Sequence, residues 1–333
     1  MRLDRLTHRR RPLFVAGVLT AAAVTAALSL PAYAGTSGHP AAASRSAAPS
    51  ASATVSGHIV AGALYGAAAT RAAGTAATDF LKLHRQMVAD VHGTKTPAVT
   101  HPISDHKLHY WWGSFPDTKS GPGVTATQSV SQTLRLTDPS DILYAPTMTP
   151  ANHSCIEVVT VHTTHTPQIW AWDWCKYIRP VAVVPVNAAF MKDYTTIANG
   201  RTAYTTKDVQ TNAKTNNWTA YLFNYVTGHW DRLYSQSGSD ESGLTFGWDM
   251  FEFYSSTNPS TGSTYVCGDL QNAGTQIESS NISIMHDGSW TPANSSDSSW
   301  NPELHPAPAA YKCPDIKFNT VQLNSDWMVD VAG

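Results

Sequence analysis

The sequence has little charge for its length. Only 14% of its 333 residues are Asp, Glu, Lys or Arg, against about 25% in typical soluble proteins. The formal net charge is −2, which removes the electrostatic basis for binding a nucleic acid. Glutamate is especially rare and occurs only at positions 157, 241, 252, 278 and 303. Each glutamate is therefore a candidate for a specific role.

Several signatures of known enzyme and metal sites are also missing. The chain has no C-x-x-C pair and no H-E-x-x-H, although it has 14 histidines, so a zinc site is not predicted. It has no G-x-S-x-G nucleophile turn, no P-loop and no G-x-G-x-x-G, the motifs of serine hydrolases and nucleotide binders. We therefore predict neither a metal nor a cofactor.

The first 34 residues have the pattern of a secretory signal peptide. Five arginines lie among the first 11 residues, an apolar run extends from Leu13 to Leu30, and Ala32-Tyr33-Ala34 supplies a cleavage site. A single membrane anchor is the alternative, because 18 residues can just span a bilayer. The Ala/Thr-rich run and the A-x-A site favour secretion, with no membrane contact after processing.

A secreted chain with four cysteines is expected to form two disulfides. Three pairings are possible for Cys155, Cys175, Cys267 and Cys313. We favour Cys155–Cys175 and Cys267–Cys313, because each of these closes a local loop.

Residues 35–104 are predicted to be a flexible, propeptide-like linker that contains one helix. Residues 35–74 are mostly Ala, Ser, Gly and Thr without an apolar period. A helix is predicted over 79–92, where Phe80, Leu83, Met87 and Val91 recur at helical spacing and Gly93 follows.

Residues 105–333 are predicted to form an all-β antiparallel sandwich. Short β-type segments follow one another without intervening helices, which is typical of sandwiches. Residues 124–137 alternate strictly and predict a strand with one wet, Thr/Ser-rich face. Further strands are predicted at 155–162, 168–174, 181–186, 218–225, 229–234, 248–254 and 282–285.

Two of the rare glutamates lie in the middle of predicted strands. Strand parity places Glu157 on one face with Cys155, Val159 and Val161. It places Glu252 with Trp248, Met250 and Tyr254. An ionised carboxylate is costly on an apolar face, so each is either neutralised in the core or part of a carboxyl pair with separated pKa values.

The order of these features resembles the neprosin family of secreted glutamic peptidases. The segment CIEVVTV from Cys155 to Val161 is similar to the strand that carries the first catalytic glutamate in that family. The segment IWAWDWC, which ends at Cys175, is similar to the family's aromatic strand. Val181–Val186 resembles an F-V-Q strand, and Asn217–Tyr221 an N-W-W strand. FGWDMFE up to Glu252 resembles the strand of the second glutamate. The resemblance implies a signal peptide, a propeptide and a β-sandwich in which Glu157 and Glu252 are catalytic.

For an enzyme of this type, Glu157 and Glu252 are expected to converge from neighbouring strands across an open groove. One carboxylate would take a proton from water, and the other, still protonated, would act as the acid. Activity would then peak below neutral pH. Gln128 or Gln132 would donate to the developing oxyanion.

The alternative function is a non-catalytic, secreted module that binds carbohydrate or the cell wall. Trp170, Trp172 and Trp174 alternate and face one side of a strand, so they form either a buried core or an exposed platform for sugar rings. Tyr221, Phe223 and Tyr225 make a second row. A glycosidase that uses the two carboxyls is a third possibility. The predicted partner is a protein or peptide substrate, or a polysaccharide, and the sequence does not indicate an oligomeric state.

Overall fold

The computed structural model describes residues 48–93, 101–104, 107–117, 121–301 and 303–331. These residues form two large sheets packed face to face, which confirms the predicted all-β sandwich. The first ten strands are Val55–Ile59 (β1), Leu64–Tyr65 (β2), His101–Ser104 (β3), Lys107–Pro116 (β4), Gly123–Ser129 (β5), Ile142–Thr149 (β6), Ile156–His162 (β7), Gln168–Asp173 (β8), Arg179–Pro185 (β9) and Thr195–Ala198 (β10). The others are Arg201–Asn212 (β11), Asn217–Asn224 (β12), His229–Ser237 (β13), Trp248–Ser256 (β14), Ile277–His286 (β15), Ser289–Pro292 (β16), Ser298–Asn301 (β17), Ile316–Gln322 (β18) and Asp326–Val331 (β19). The helices are Gly66–Gly93 (α1), Ala188–Tyr194 (α2) and Tyr265–Ala273 (α3), with short 3₁₀ turns at Ala213–Thr215 and Pro308–Tyr311.

The ten-stranded sheet has the order β1-β13-β12-β11-β5-β15-β19-β18, with β10 beside β11 and β16 beside β15. The nine-stranded sheet has the order β17-β4-β14-β6-β7-β8-β9-β2, with β3 beside β4. Neighbouring strands are antiparallel except for β1 and β13, which are parallel. Side chains of the two facing surfaces fill the space between the sheets, for example Ile156 and Val158 from β7 against Trp218 and Leu222 from β12.

The predicted helix is confirmed, but it begins 13 residues earlier than expected, at Gly66. Its first part, up to Ala77, is rich in alanine, which has the highest helix propensity and needs no large apolar period. Gly74 interrupts the helical backbone with φ 60° and ψ −148°. Ala69 and Ala73 are buried against the sheet, so small side chains replace the apolar stripe that a sequence pattern would reveal.

The segment before the sandwich is more structured than the sequence analysis expected. Residues 55–59 form β1 along the ten-stranded sheet, and residues 64–65 form β2 beside β9 of the nine-stranded sheet. The predicted signal peptide at 1–34 and the first part of the predicted linker lie outside the described residues. Within the described chain, none of the helices combines the length and apolar character needed to cross a bilayer.

The alternating segment 124–137 forms a strand only as far as Ser129. The rest is a loop in which Leu134 and Leu136 are buried by packing, so their alternation does not reflect a sheet. The face expected to be wet is also buried: Thr125 donates to the Thr206 carbonyl, and Thr127 hydrogen-bonds to Thr205. Tertiary contacts therefore overrode the local pattern.

The favoured disulfide pairing is confirmed. Cys155 is bonded to Cys175 across the ends of β7 and β8, and Cys267 on α3 is bonded to Cys313. The first bond joins the start of β7, which carries Glu157, to the end of β8, which carries Trp170 and Trp172 and is followed by Trp174.

Candidate active site

Both glutamates lie on one surface of the nine-stranded sheet, which we call the outer face because it is turned away from the other sheet. Strand alternation puts Phe251 and Phe253 of β14 into the core between the sheets and leaves Glu252 and Tyr254 on the outer face. In the same way, Ile156 and Val158 of β7 point inward, while Glu157 and Val159 point outward. The predicted parity is therefore observed around both glutamates except at Cys155, which lies just before β7 in the same core cluster as Ile156 and Val158.

Glu157 is held by three neutral donors. The Thr147 hydroxyl donates to Oε1 at 2.5 Å, and the Trp248 indole donates to the same oxygen at 3.2 Å. The Trp174 indole donates to Oε2 at 2.9 Å. The residue is 1% exposed. Burial raises the pKa of the Glu157 carboxyl to about 7, the charge of Glu252 adds to that rise, and the three donors oppose it.

Glu252 lies in a second, equally buried environment. The Tyr254 hydroxyl donates to Oε1 at 2.6 Å, and Nε2 of His109 on β4 lies 2.7 Å from the same oxygen. The His109 and Tyr254 rings stack, with centroids 4.2 Å apart. Burial raises the pKa of the Glu252 carboxyl to about 8, against the opposing effect of Tyr254. Both carboxyls therefore keep their protons to a higher pH than an exposed glutamate does.

The two glutamates do not come from neighbouring strands, contrary to expectation, because β6 lies between β7 and β14. They are also offset along the sheet. Thr149 of β6 pairs with Trp248, and Met148 pairs with Val158, so Glu157 is level with Trp248. Glu252 follows four residues later, roughly 13 Å further along β14 at 3.3 Å per residue. This offset describes the backbone positions; the Glu157 side chain reaches Thr147, which pairs with Met250, and the charge of Glu252 acts on it.

Tyr144 lies on β6, the strand between those of the two glutamates, and the register places it level with Glu252. The charges of both Glu157 and Glu252 act on its hydroxyl, whose pKa is raised well above the ordinary value, chiefly by burial. Among the described residues, no hydrogen-bond partner reaches this buried hydroxyl. It is a buried donor on the outer face for which the described part of the chain supplies no acceptor, and the sequence analysis did not identify it.

Helix α1 covers this part of the outer face. The Phe80 ring stacks on Tyr144, with centroids 4.1 Å apart and planes 8° apart, and makes edge contacts with Trp172 at 4.8 Å and Tyr254 at 5.9 Å. One turn later, His84 packs on Trp174 at 4.5 Å. Both α1 side chains are buried, so the helix closes the site in the full chain.

His84 is neutral where it is buried. Its Nε2 lies 2.9 Å from the Ser242 carbonyl oxygen, which fixes a proton on that nitrogen. Burial lowers the pKa of His84 to about 4, and the charges of His109 and Arg85 lower it further, while the Ser242 bond acts in the opposite direction. Protonation of His84 therefore opposes docking of the helix.

The three alternating tryptophans share one face, as expected, but that face is neither the core between the sheets nor an exposed platform. Trp170, Trp172 and Trp174 are 1%, 0% and 1% exposed and pack beneath α1. In the full chain they cannot offer their rings to a sugar. Tyr221 and Phe223 of the second aromatic row are also buried, and they pack around Trp230 on the ten-stranded sheet.

The glutamines lie away from the site, so we do not assign them the expected oxyanion role. Gln128 points between the sheets, where it accepts from the Tyr204 hydroxyl at 2.6 Å and donates to Asp249 at 3.2 Å. Gln132 lies exposed in the loop after β5. Nor does the described part of the chain contain three His, Cys, Asp or Glu side chains arranged to hold a metal ion.

No protein-family model matches the chain, and no curated protein matches it; the resemblance to neprosins thus has no support from a family model. Three solved structures of glutamic peptidases are similar in fold. A Scytalido-glutamic peptidase with a peptide-based transition state analog is 12% identical, with 67% of this chain and 98% of that chain covered and a TM-score of 0.38. SCP-B, an Eqolisin family member in complex with the tripeptide Ala-Ile-His, is 13% identical, with 67% and 98% covered and a TM-score of 0.34. A scytalido-glutamic peptidase with a transition state analog inhibitor is 13% identical, with 66% and 98% covered and a TM-score of 0.34. At these values the similarity carries no conclusion about activity.

Proposed function

We propose that the protein is a secreted, acid-acting peptidase of the glutamic type that uses Glu157 and Glu252. The proposal rests on two buried carboxyls on one sheet face, with a Tyr144 hydroxyl on the strand between them that has no partner among the described residues. Carboxyl groups with separated pKa values are the usual basis for dividing base and acid roles.

In the proposed mechanism the substrate lies between the two glutamates. Glu157, in its ionised form, takes a proton from the attacking water as the water oxygen bonds to the peptide carbon. Tyr144 donates a hydrogen bond to the resulting oxyanion. When the C–N bond breaks, the amine nitrogen takes the proton of Glu252. The product carboxyl and solvent then restore the starting protonation, with Glu252 protonated and Glu157 ionised.

A polypeptide substrate is favoured because a polypeptide already covers the face. Helix α1 lies across both glutamates and inserts Phe80 and His84 among their hydrogen-bond donors. The backbone of α1 is helical, so its carbonyl groups are engaged within the helix and do not face the site as an extended peptide would. We therefore propose that the full chain is a closed precursor, and that displacement of α1 opens the groove.

The test compares the full chain with a variant in which the helix is displaced. Leu83 is buried on the sheet-facing side of α1, and Leu83→Arg places a permanent charge there. Incubated with denatured protein from pH ~3 to ~7, a range that brackets carboxyl titration, the Leu83→Arg chain is expected to cleave faster than the wild-type chain.

Glutamine substitutions in the Leu83→Arg background then assign the residues. Glu157→Gln and Glu252→Gln should each abolish cleavage while the near-ultraviolet circular dichroism is retained, and Glu241→Gln, at an exposed position, should have no effect. Retained cleavage in either site variant, or an inert Leu83→Arg chain throughout the pH range, would contradict the proposal. A parallel panel of polysaccharides checks the glycosidase and carbohydrate-binding alternatives.

A further inference from the structure

We infer that the ring of Phe80 occupies a substrate subsite, and that this subsite takes an aromatic side chain next to the bond that is cleaved. The inference rests on the proposed function and adds a substrate class to it. It starts from the contacts of Phe80, the residue through which α1 touches the rings around both glutamates.

The pocket is built from aromatic faces and edges. Tyr144 supplies a parallel face at 4.1 Å, and Trp172 and Tyr254 supply edge contacts at 71° and 85° to the Phe80 plane. Offset-stacked and edge-to-face contacts at such distances are the favoured arrangements of ring pairs. A branched aliphatic side chain fills similar volume but cannot make these contacts, so the pocket discriminates by ring geometry as well as by hydrophobicity.

The pocket adjoins both reacting groups. Trp174, 6.2 Å from the Phe80 ring, donates to Glu157, and Tyr254 donates to Glu252. Its floor is the ring of Tyr144, whose hydroxyl is unpartnered among the described residues. A side chain seated here therefore belongs to a residue at or directly beside the scissile bond.

The small side chains of α1 do not indicate a subsite in the way that Phe80 does. The helix packs mostly through small residues upstream, such as Ala69 and Ala73. Their contacts reflect the close approach of the helix to the sheet. Phe80, 1% exposed, is a large ring in a pocket that the sheet itself provides.

The first experiment does not need catalysis. In the full chain, Phe80→Ala empties the pocket while the rest of α1 is kept. N-acetyl-phenylalaninamide should then raise the melting temperature by about 2 to 4 °C at saturating concentration, whereas the alanine and lysine analogues should not, and the wild-type chain should not respond. Phe80→Ser, which also leaves room for a ring, is a second variant with the same readout if Phe80→Ala does not fold.

A matched control distinguishes a shaped subsite from a generic cavity. Phe251→Ala creates a hole of the same chemistry between the sheets, away from the outer face, and should not respond to the phenylalanine analogue. An equal response in Phe251→Ala, or no preference for the aromatic analogue in either Phe80 variant, would overturn the inference.

The second experiment uses the opened Leu83→Arg chain. Cleavage sites in denatured proteins should be enriched in Phe, Tyr or Trp at one fixed position beside the scissile bond, on the order of tenfold or more over Ala. Cleavage without this enrichment refutes the subsite and leaves the peptidase proposal intact. Absence of cleavage refutes the peptidase proposal, while the ligand response of Phe80→Ala still reports on the pocket.

Discussion

Docking of α1 should weaken as His84 becomes protonated, and the structure allows the size of this effect to be worked out. When the helix leaves the sheet, His84 enters water and its pKa returns to about 6.5; when it is docked, burial holds that pKa at about 4. The docked state thus binds fewer protons than the open state between these values. By linkage, the stability of docking falls as the pH falls from 6.5 to about 4, and it is independent of this group above 6.5.

The difference between 6.5 and about 4 corresponds to roughly 3 kcal/mol, or on the order of 300-fold in the opening equilibrium. Other groups near His84 also titrate. Burial raises the pKa values of Glu157 and Glu252, so both carboxyls favour the closed state as the pH falls and act against His84. His109 and Arg85 face His84 as well.

The effect of His84 is therefore measured as a difference between chains. His84→Gln retains a donor for the Ser242 carbonyl but does not titrate, and leaves the other groups in place. Hydrogen exchange of the α1 amides, compared at each pH from 7.5 to 4, should show the wild-type helix opening progressively more often than the variant as the pH falls. Intrinsic exchange rates cancel because each comparison is made at one pH.

His229→Gln is the matched control, because His229 is exposed and lies on the other sheet. It should exchange like the wild type at every pH. If wild type and His84→Gln keep a constant ratio of exchange rates from pH 7.5 to 4, the burial of His84 does not control docking and the reasoning fails.

Three further predictions follow from the same contacts. Tyr144→Phe in the opened chain should lower kcat on the order of 10²- to 10³-fold with little change in KM. It should not destabilise the fold, because the hydroxyl has no partner among the described residues. A loss of stability in urea unfolding would assign Tyr144 a structural role instead. Between pH 4.5 and about 8 the folded wild-type chain keeps the Glu252 proton that the unfolded chain has lost, so wild-type stability falls as the pH rises. Glu252→Gln should remove this dependence, and its free energy of unfolding relative to wild type should rise over that range by at most roughly 5 kcal/mol. Parallel pH profiles of the two chains would contradict this. Replacing both Cys155 and Cys175 with Ser opens a loop of sequence separation 20 and should cost about 3 kcal/mol in urea unfolding, whereas a loss well under 1 kcal/mol would show that the packing of β7 and β8 suffices.

Local regularities made much of the fold predictable. Strand parity correctly placed Glu157 with Val159 and Glu252 with Tyr254, because side chains alternate with a period of two whatever the sheet packs against. The hairpin between β12 and β13 follows from Gly228, which has φ 72° and closes the turn. The disulfides followed from loop closure between cysteines near in sequence.

Features that depend on distant contacts were not predictable from the sequence. The alternation of side chains along a strand does not determine the order of strands in a sheet. The sequence analysis therefore did not predict that β6 lies between the strands of the two glutamates. His109 and Tyr144 carry no motif and become site residues only through pairing with β14 and β7. The alanine-rich half of α1 has the composition of a linker, and it is ordered by packing against the sheet rather than by a pattern of its own.

The burial of the glutamates reconciles the two roles that the sequence left open. Every residue of β7 is buried, which on a strand of a sandwich is typical of a structural position. One of its faces, however, is covered by the opposite sheet and the other by a helix. The opposite sheet cannot separate from β7 without unfolding the protein. Helix α1, which is docked through small residues and a few rings, can separate from it by local unfolding. Glu157 is thus inaccessible while α1 is docked, and in the proposed open chain it would be a solvated carboxyl with a lower pKa. Under the proposed function, the same side chain is structural in the closed chain and acts as an acid–base group in the open one.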